Sequence, residues 1–269
     1  MTTVAEHRPK AVTRRVGPAS TVRHSMTLTW RSLVQIKHNP FELIELSIQP
    51  LMMLLLFVYV FGGAIAGNTT DYIQFALPGI IAQNALIATI GTAIALNTDV
   101  TKGVFDRLRS LPIARTAPLA GRIIADSAKQ MWSVLLFIVL GLVLGFRVGG
   151  GIAGVLGTFA LLLVFTLAMS WMAVLVGLTA KDPEKVQMFA FSFLMPLTFT
   201  SNAFVPSETM PGWLRVWVEI NPVTQLADAA RGMLVGGEVA GPVVNSLLWA
   251  AGAVIVFAPL AVRAFRLRA

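Results

Sequence analysis

Apolar residues in this chain collect in six long runs, and the segments between the runs carry most of the charges. A run of about 20 apolar residues is long enough to cross the hydrocarbon core of a bilayer as an α-helix. We therefore predict an all-α integral membrane fold with six transmembrane helices. The third helix begins at Met131 or nearer Pro118, and the six runs are Leu46 to Ala66, Phe75 to Leu96, Met131 to Gly145, Ile152 to Thr179, Val186 to Val205 and Val243 to Val262.

Composition agrees with this pattern. Hydrophobic residues make up 56% of the chain and charged residues 13%, against about 25% charged residues in ordinary soluble domains. Cysteine is absent, which excludes disulfides, thiolate metal sites and thiol nucleophiles. The net charge of +8 comes mainly from cations at the ends of the apolar runs, where anionic headgroups lie, so we expect lipid contacts and no nucleic-acid partner.

The positions of the cations predict the orientation. With six spans, all but three of the 21 Lys and Arg residues fall on one side, and the exceptions are Arg147, Arg215 and Arg231. Cations are retained on the cytoplasmic side during insertion. We therefore expect a multi-pass protein with both termini in the cytoplasm.

The segments outside the spans are expected to be of three kinds. Residues 1–22 are rich in Arg, Pro, Thr and Ala and predict a disordered cytoplasmic tail, and residues 23–269 form a single transmembrane domain. Residues 23–39 mix apolar and basic positions as an amphipathic helix at the membrane surface does. Residues 206–242 are too apolar for a free loop and predict two short helices, Gly212 to Ile220 and Val223 to Leu234, broken at Asn221-Pro222. Because broken helices at membrane depth usually line a protein cavity, we expect an extracellular re-entrant region here.

Several kinds of chemistry have no matching residues. No G-x-x-x-x-G-K-[ST] phosphate loop occurs, and the three histidines, His7, His24 and His38, all lie in the N-terminal arm at irregular spacing. The carboxylates lie near the ends of the predicted spans, which argues against a proton-driven carrier. Arg122, Asp126 and Lys129 share one helical face, and we interpret them as a local ion pair rather than a proton relay.

The cytoplasmic segment TKGVFDRLRSLPIAR, Thr101 to Arg115, predicts a short basic amphipathic helix. Its apolar residues fall on one face, and Pro112 ends it. Such a helix either rests on lipid headgroups or enters a groove on a soluble partner, and the physics of the sequence does not separate the two.

Two stretches carry a family resemblance. TDVTKGVFDRLRSLPIAR, followed by GRIIAD, resembles the cytoplasmic loop of the daunorubicin-resistance-type permeases of the type-2 ABC exporter superfamily. FLMPLTFTSNAFVPSETMPGWLRVWVEINPVTQLADAARGMLVGG resembles the fifth span and the extracellular re-entrant region of the same family. The resemblance implies a non-catalytic permease subunit in a bacterial cell membrane. It also implies a second permease subunit, identical or homologous, and a separate ATPase subunit that holds ATP and Mg while this chain binds no cofactor.

The resemblance also assigns roles to residues. Residues 101–111 would be a coupling helix in a groove of the ATPase, with Phe105 and Leu108 as anchors, and the N-terminal helix would contact the ATPase along the membrane surface. The coupling residues are Lys102, Phe105, Asp106, Arg107, Leu108, Arg109 and Leu111, and those of the interfacial helix are Trp30, Arg31, Gln35 and Lys37.

On the substrate side, polar and aromatic residues of the second and fifth spans either contact a hydrophobic or amphiphilic drug or lipid or pack against neighbouring helices. The predicted substrate path is Gln83, Asn84, Phe199, Thr200 and Asn202, and the predicted extracellular gate is Trp213, Glu219, Asn221, Pro222 and Arg231. The expected function is ATP-driven export from the cytoplasm or inner leaflet. The alternatives are an ion-gradient-driven secondary transporter and, less favoured, a membrane enzyme.

Overall fold

The computed structural model describes residues 50–103 and 117–268, together with Met26, Thr27, Trp30, Val34 and Ile48. Within these ranges the chain forms helices joined by turns, with no strand. The all-α prediction is therefore confirmed for the part of the chain that the structure describes.

Four helices contain a stretch long and apolar enough to cross a membrane. They are α2 (Thr69–Thr101), α3 (Ala117–Val143), α4 (Gly151–Thr179) and α8 (Ala240–Arg268). These helices correspond to the second, third, fourth and sixth apolar runs of the sequence. This is a multi-pass membrane architecture.

In the described part of the chain, the helices of the first and fifth apolar runs are interrupted by π-helical segments, and neither is among the four helices of spanning length, so the described helices alone do not give the expected six spans. In the described residues α1 begins at Pro50, is π-helical at Leu56–Phe61 and ends with the turn Gly62–Ala66. α5 covers residues 183–199 as three segments, Pro183–Phe189, the π-helical Ala190–Leu194 and Met195–Phe199. Proline at the start of its last segment removes a backbone donor, which favours an interruption there.

Side-chain caps fix where α2 and α5 begin. The Asn68 side chain accepts a hydrogen bond from the Asp71 N–H (2.7 Å) at the start of α2, and Asp182 accepts one from Lys185 (2.9 Å) at the start of α5. At its other end, α2 closes at Lys102, and Gly103 follows with φ +65°. We call the two ends of the bundle the Asn68 end and the Lys102 end.

α2 is the central helix. In its apolar stretch 61% of residues are buried, against 17% in that of α8. α3 runs antiparallel to it, since Gln74 near the start of α2 donates to the carbonyl of Gly145, beyond the end of α3 (3.1 Å). α4 runs parallel to it, and Asn97 of α2 donates to the carbonyl oxygens of Gly177 (3.0 Å) and Ala180 (2.9 Å).

α3 begins earlier than the apolar run suggested. It starts at Ala117 rather than Met131, as the second option for this boundary allowed. Arg122, Asp126 and Lys129 therefore lie inside the helix, in the half nearer the Lys102 end. Helical hydrogen bonding and ion pairing allow a helix to extend beyond its apolar residues.

Two short helices follow α5, where the sequence placed them. α6 covers Gly212–Ile220 and α7 covers Pro222–Leu234, with the break at Asn221-Pro222. α7 packs against α2, α4 and α8, and most of its residues are buried. α6 is amphipathic, with Val218 buried and Trp213 exposed. Both helices lie at the Asn68 end of the bundle.

Candidate functional site: a polar cavity and a buried arginine cluster

One face of α3 is polar over three turns. Arg122, Asp126, Lys129, Gln130 and Ser133 recur at a helical spacing that places them on the same side. All five line a cavity of about 540 Å³, together with residues of α1, α2 and α5. A polar face in an otherwise apolar helix is expected to point into the bundle or into water rather than toward lipid.

The deepest part of this cavity is organised by Asn84 of α2. Its side-chain oxygen accepts hydrogen bonds from Gln130 Nε2 (3.3 Å) and from Ser133 Oγ (3.3 Å). Asn84 lies near the middle of α2, roughly 22 Å along the helix axis from Thr69. The polar wall therefore extends from the Lys102 end to about the centre of the bundle.

The charges of the cavity are paired with one another. Arg122 Nε lies 3.1 Å from Asp126 Oδ2, and Lys129 Nζ lies 3.9 Å from Asp126 Oδ1. The three side chains are 29%, 17% and 23% exposed, respectively for Arg122, Asp126 and Lys129. The local ion pairing predicted from the sequence is confirmed, and its position beside a cavity is what the sequence did not reveal.

The remaining walls are mainly apolar. Ile87 and Ile90 of α2 face the cavity, as do Phe191 and Met195 of α5, with Gln187 as a further polar group. A cavity with one polar wall and opposing apolar walls matches a ligand that has a polar end and an apolar body. Its volume lies within the range typical of small-molecule sites, about 300–1,000 Å³.

A second polar site, the Arg231 cluster, lies at the Asn68 end and consists of Phe75, Asn202, Asp228 and Arg231. Arg231 Nε donates to the Phe75 carbonyl oxygen (3.2 Å), and its guanidinium lies over the Phe75 ring, 4.0 Å from the centroid. A terminal nitrogen of Arg231 donates to the Asn202 carbonyl oxygen (3.3 Å), and the other forms an ion pair with Asp228. Asn202 also donates to Asp228 (2.8 Å). The cluster joins α2, α7 and the turn after α5.

Burial and pairing act in opposite directions on these charges. Burial raises the pKa of Asp228 above its ordinary value, while the nearby Arg231 charge and the hydrogen bonds from Asn202 and Arg231 oppose that rise. Burial likewise lowers the pKa of Arg231, and Asp228 opposes this. The attraction between Asp228 and Arg231 therefore offsets part of the free-energy cost of burying each charge.

Asn221 joins α5 to α7. Its side-chain N–H₂ donates to the carbonyl oxygens of Leu197 (2.8 Å) and Thr200 (2.9 Å), which are at the end of α5. Its side-chain oxygen accepts from the Val223 N–H (2.8 Å) and caps α7. Trp217 of α6 donates to the Thr200 hydroxyl (2.9 Å), so α6 is tied to the same point.

The predicted substrate-path residues lie in several places. Asn84 lines the polar cavity, Gln83 is buried, and Asn202 belongs to the Arg231 cluster. Phe199 is 59% exposed at the Asn68 end, beside Thr200. The structure therefore does not gather these five residues around one space, and contact with a substrate stays a prediction for each.

The predicted gate residues occupy different environments at the same end. Trp213 is 78% exposed, and Glu219 forms an exposed ion pair with Arg215 (2.8 Å). Asn221, Pro222 and Arg231 are largely or fully buried. Their role as a gate stays a prediction.

The predicted ATPase contacts are described only in part. Lys102 caps the end of α2 and is exposed, and Trp30 is helical and 69% exposed. The other residues of these two sets lie outside the described residues, namely Phe105, Asp106, Arg107, Leu108, Arg109, Leu111, Arg31, Gln35 and Lys37.

Sequence reasoning missed part of both polar sites. Gln130, Ser133 and Gln187 line the cavity, and Asp228 pairs with Arg231. The recurrence of polar residues along α3 was the signal available for the first two. No sequence signal joins Asn202 to Asp228 and Arg231, because their contact depends on how α5 ends beside α7.

Comparison with known proteins assigns the chain to a family. The family model for ABC-2 type transporters matches residues 23–235. The daunorubicin resistance ABC transporter permease protein DrrB1 of Streptomyces coeruleorubidus is 43% identical over 251 residues, which is 93% of this chain and 89% of that protein. The chain belongs to the ABC-2 type transporter family.

More distant relatives also match this chain over most of its length. The probable doxorubicin resistance ABC transporter permease protein DrrC of Mycobacterium tuberculosis is 28% identical over 274 residues, covering 97% of each chain. The putative transport permease ycf38 of Cyanophora paradoxa is 29% identical over 221 residues, or 78% of the ABC-2 chain and 73% of the relative. The family model's match over residues 23–235 includes the residues that line the polar cavity and all four residues of the Arg231 cluster.

Proposed function

We propose that this chain is the membrane permease subunit of an ATP-driven exporter that moves a hydrophobic or amphiphilic drug or lipid out of the cytoplasm or the inner leaflet. Its membership of the ABC-2 type transporter family carries this proposal. The names of its relatives, which are resistance permeases for daunorubicin and doxorubicin, favour export of drug-like molecules.

The polar cavity supports transport of an amphiphile. It reaches about the middle of the bundle from the Lys102 end and has both a polar and an apolar wall. A molecule with a polar group and a flat or extended apolar part could leave one leaflet through such a space without exposing its polar group to hydrocarbon.

Six spans are proposed, with α1 and α5 as the first and fifth. The Lys102 end would be cytoplasmic, because the cations described at that end outnumber those at the other. Those at the Lys102 end are Lys102, Arg122, Lys129, Lys181, Lys185, Arg263, Arg266 and Arg268, and those at the Asn68 end are Arg147, Arg215 and Arg231. An even number of spans then places both termini in the cytoplasm. The membrane would be a bacterial cell membrane.

The driving force would come from a partner. The chain has no phosphate loop of its own. Two permease subunits, identical or homologous, would each receive an ATPase subunit at the cytoplasmic end. The segment after Lys102 would transmit nucleotide-driven closure of the ATPase pair to the spans. In this assembly ATP and Mg belong to the ATPase chains.

Transport by the reconstituted complex tests the proposal. The chain is co-expressed with the ATPase that co-purifies with it. Uptake of two fluorescent amphiphiles into inverted vesicles, cationic doxorubicin and an anionic labelled phosphatidylglycerol, is measured with ATP, with a non-hydrolysable analogue, and with a proton gradient alone. We expect uptake only with ATP, and none when the catalytic glutamate of the ATPase is replaced by Gln. Uptake driven by the proton gradient without any ATPase would identify an ion-coupled carrier instead.

A further inference from the structure

We propose that the polar cavity holds an anionic phosphate-type headgroup on Arg122, so that the ligand of this site is an acidic amphiphile. The inference rests on the proposed function, because it names the chemical class of the molecule that enters the cavity. Its evidence is the geometry of Arg122 and of the walls around it.

Among the residues that the structure describes, Arg122 uses little of its hydrogen-bonding capacity. A guanidinium carries five N–H donors, and the structure gives Arg122 a contact through Nε alone, to Asp126 (3.1 Å). Its terminal amino groups contact no partner among the residues that the structure describes. Two parallel N–H groups on a planar guanidinium match the oxygens of a phosphate or carboxylate bidentately.

The position of Arg122 along α3 suits a lipid-like headgroup. It is five residues from Ala117, about 8 Å along the helix axis from the Lys102 end of α3. Ser133 lies roughly 16 Å farther toward the middle of the bundle. A ligand bound at Arg122 would therefore have its headgroup near the membrane surface and its body at the level of the cavity.

The walls accept the rest of such a ligand. Gln187 offers an amide donor beside the charged wall, while Ile90, Phe191 and Met195 form an apolar surface along α2 and α5. Phe191 is 60% exposed, which leaves its ring accessible to an acyl chain or a flat apolar group. The site thus has an anion-binding end and an apolar side.

The arrangement disfavours a cationic headgroup. Asp126 is the carboxylate among the described residues that line the cavity, and both Arg122 and Lys129 already lie beside it. A cation approaching Asp126 would meet these two positive charges, whereas an anion approaching Arg122 meets a guanidinium whose terminal amino groups have no hydrogen-bond partner among the described residues. Phosphate on an amphiphile fits this better than an ammonium group.

A binding measurement on the purified permease tests this. The protein is placed in phosphatidylcholine nanodiscs, and binding of radiolabelled phosphatidylglycerol is measured for the wild type, Arg122→Gln and Arg215→Gln. Arg215 is the matched control, because it forms the same Arg-to-carboxylate pair at i, i+4 with Glu219 (2.8 Å) but lies outside the cavity. We expect Arg122→Gln to weaken binding at least about tenfold, and Arg215→Gln to leave it unchanged.

Two further variants separate ligand binding from a purely structural ion pair. Arg122→Lys keeps the positive charge but removes the two parallel N–H donors of the guanidinium, so we expect binding of phosphatidylglycerol to weaken by about two- to fivefold. Asp126→Asn removes the negative charge beside Arg122, so we expect phosphatidylglycerol to bind equally well or more tightly. Weaker binding in Asp126→Asn, with the protein folded by its elution profile, would overturn the proposal.

Two probes divide the ligand into its parts. Glycerol 3-phosphate carries the phosphate without acyl chains, and diacylglycerol carries the chains without the phosphate. Weak competition by each supports an acidic amphiphile. If glycerol 3-phosphate competes as strongly as the lipid, the ligand is a soluble phosphate compound and the proposal of an amphiphilic ligand is wrong. If Arg122→Gln binds phosphatidylglycerol as tightly as the wild type, the proposed binding site at Arg122 is wrong.

The outcome is distinguishable from a failure of the proposed function. Binding is measured on the permease without its ATPase, so an absence of ATP-driven transport would leave the binding result standing. If transport is driven by ATP while Arg122→Gln binds lipid normally, only the assignment of Arg122 falls.

Discussion

Arg231 and Phe75 are joined twice, through a hydrogen bond from Nε to the Phe75 carbonyl oxygen (3.2 Å) and through the guanidinium lying 4.0 Å from the centroid of the Phe75 ring. The two residues are 156 positions apart in the chain. Their contact fixes α7 against the first turns of α2, at the end where the transported molecule is proposed to leave. Four predictions follow from contacts of this kind and from the sequence.

Replacing Arg231 with Gln leaves Asp228 partly buried without its cation. We expect the free energy of unfolding to fall by about 3 kcal/mol, because breaking a buried pair exposes the remaining charge to an apolar surrounding. The measurement is SDS-induced unfolding in mixed micelles. Arg215→Gln is the control, since its exposed pair with Glu219 should contribute about 1 kcal/mol or less. The double variant Asp228→Asn with Arg231→Gln should recover part of the loss, and equal losses in Arg231→Gln and Arg215→Gln would contradict the role of the cluster.

Replacing Asn221 with Ala removes a helix cap and two donors at once. The Leu197 and Thr200 carbonyl oxygens lose their partner at the end of α5, so we expect a loss of about 2 kcal/mol in the same unfolding assay. Asn68→Ala, at the exposed cap of α2, should cost about 1 kcal/mol. Asn221→Asp keeps the acceptor for Val223 but cannot donate to the carbonyls. If Asn221→Asp were as stable as the wild type, the two carbonyl contacts would have no energetic importance.

A methyl group at Gly79 has no space. A Cβ built there would overlap the Ala203 carbonyl oxygen, which belongs to a buried turn after α5. Gly79→Ala should therefore destabilise the protein by about 2 kcal/mol or more through overpacking. Gly252→Ala is the control, because a Cβ at Gly252 in α8 meets nothing within 4 Å. We expect Gly252→Ala to be neutral or stabilising by up to about 1 kcal/mol, and a neutral Gly79→Ala would show that α2 and the turn can separate.

The segment after Lys102 supplies the last prediction, which comes from the sequence alone. Phe105→Ala combined with Leu108→Ala should weaken association with the ATPase at least about tenfold, because interface anchors contribute more than about 1 kcal/mol each. Co-purification of the tagged ATPase measures this, and membrane insertion should be unchanged. Val244→Ala with Leu248→Ala, two exposed residues of α8, is the control. Undiminished co-purification and transport would remove the coupling role from this segment.

The sequence predicted the parts of the fold that local physics controls. Apolar runs of spanning length marked α2, α3, α4 and α8, because each must match the thickness of the bilayer core. The break at Asn221-Pro222 followed from the missing proline N–H and the restriction on the residue before it. The pairing of Arg122 and Lys129 with Asp126 followed from helical spacing, since residues three and four apart are neighbours on a helix.

Other features were outside the reach of sequence patterns. The π-helical turns in α1 and α5 have no signal in hydropathy, because the hydropathy of an apolar run is the same in an α-helix and in a π-helix. The grouping of Gln83, Asn84, Phe199, Thr200 and Asn202 into one path assumed that polar residues in different spans face the same space. The structure distributes them instead, since α5 ends beside α7 and takes Asn202 into the Arg231 cluster.

By itself the sequence determined that this chain is a helical membrane protein, which end of it carries the cations, where several helices begin and break, and to which family it belongs. These properties depend on composition, on spacing along one helix or on residues quoted in order. The tertiary structure decided that the polar face of α3 borders a cavity reaching Asn84, and that Arg231 meets Phe75 and Asp228 at the opposite end. Those contacts join residues that are far apart in the chain, and they exist only because the helices pack in one particular arrangement.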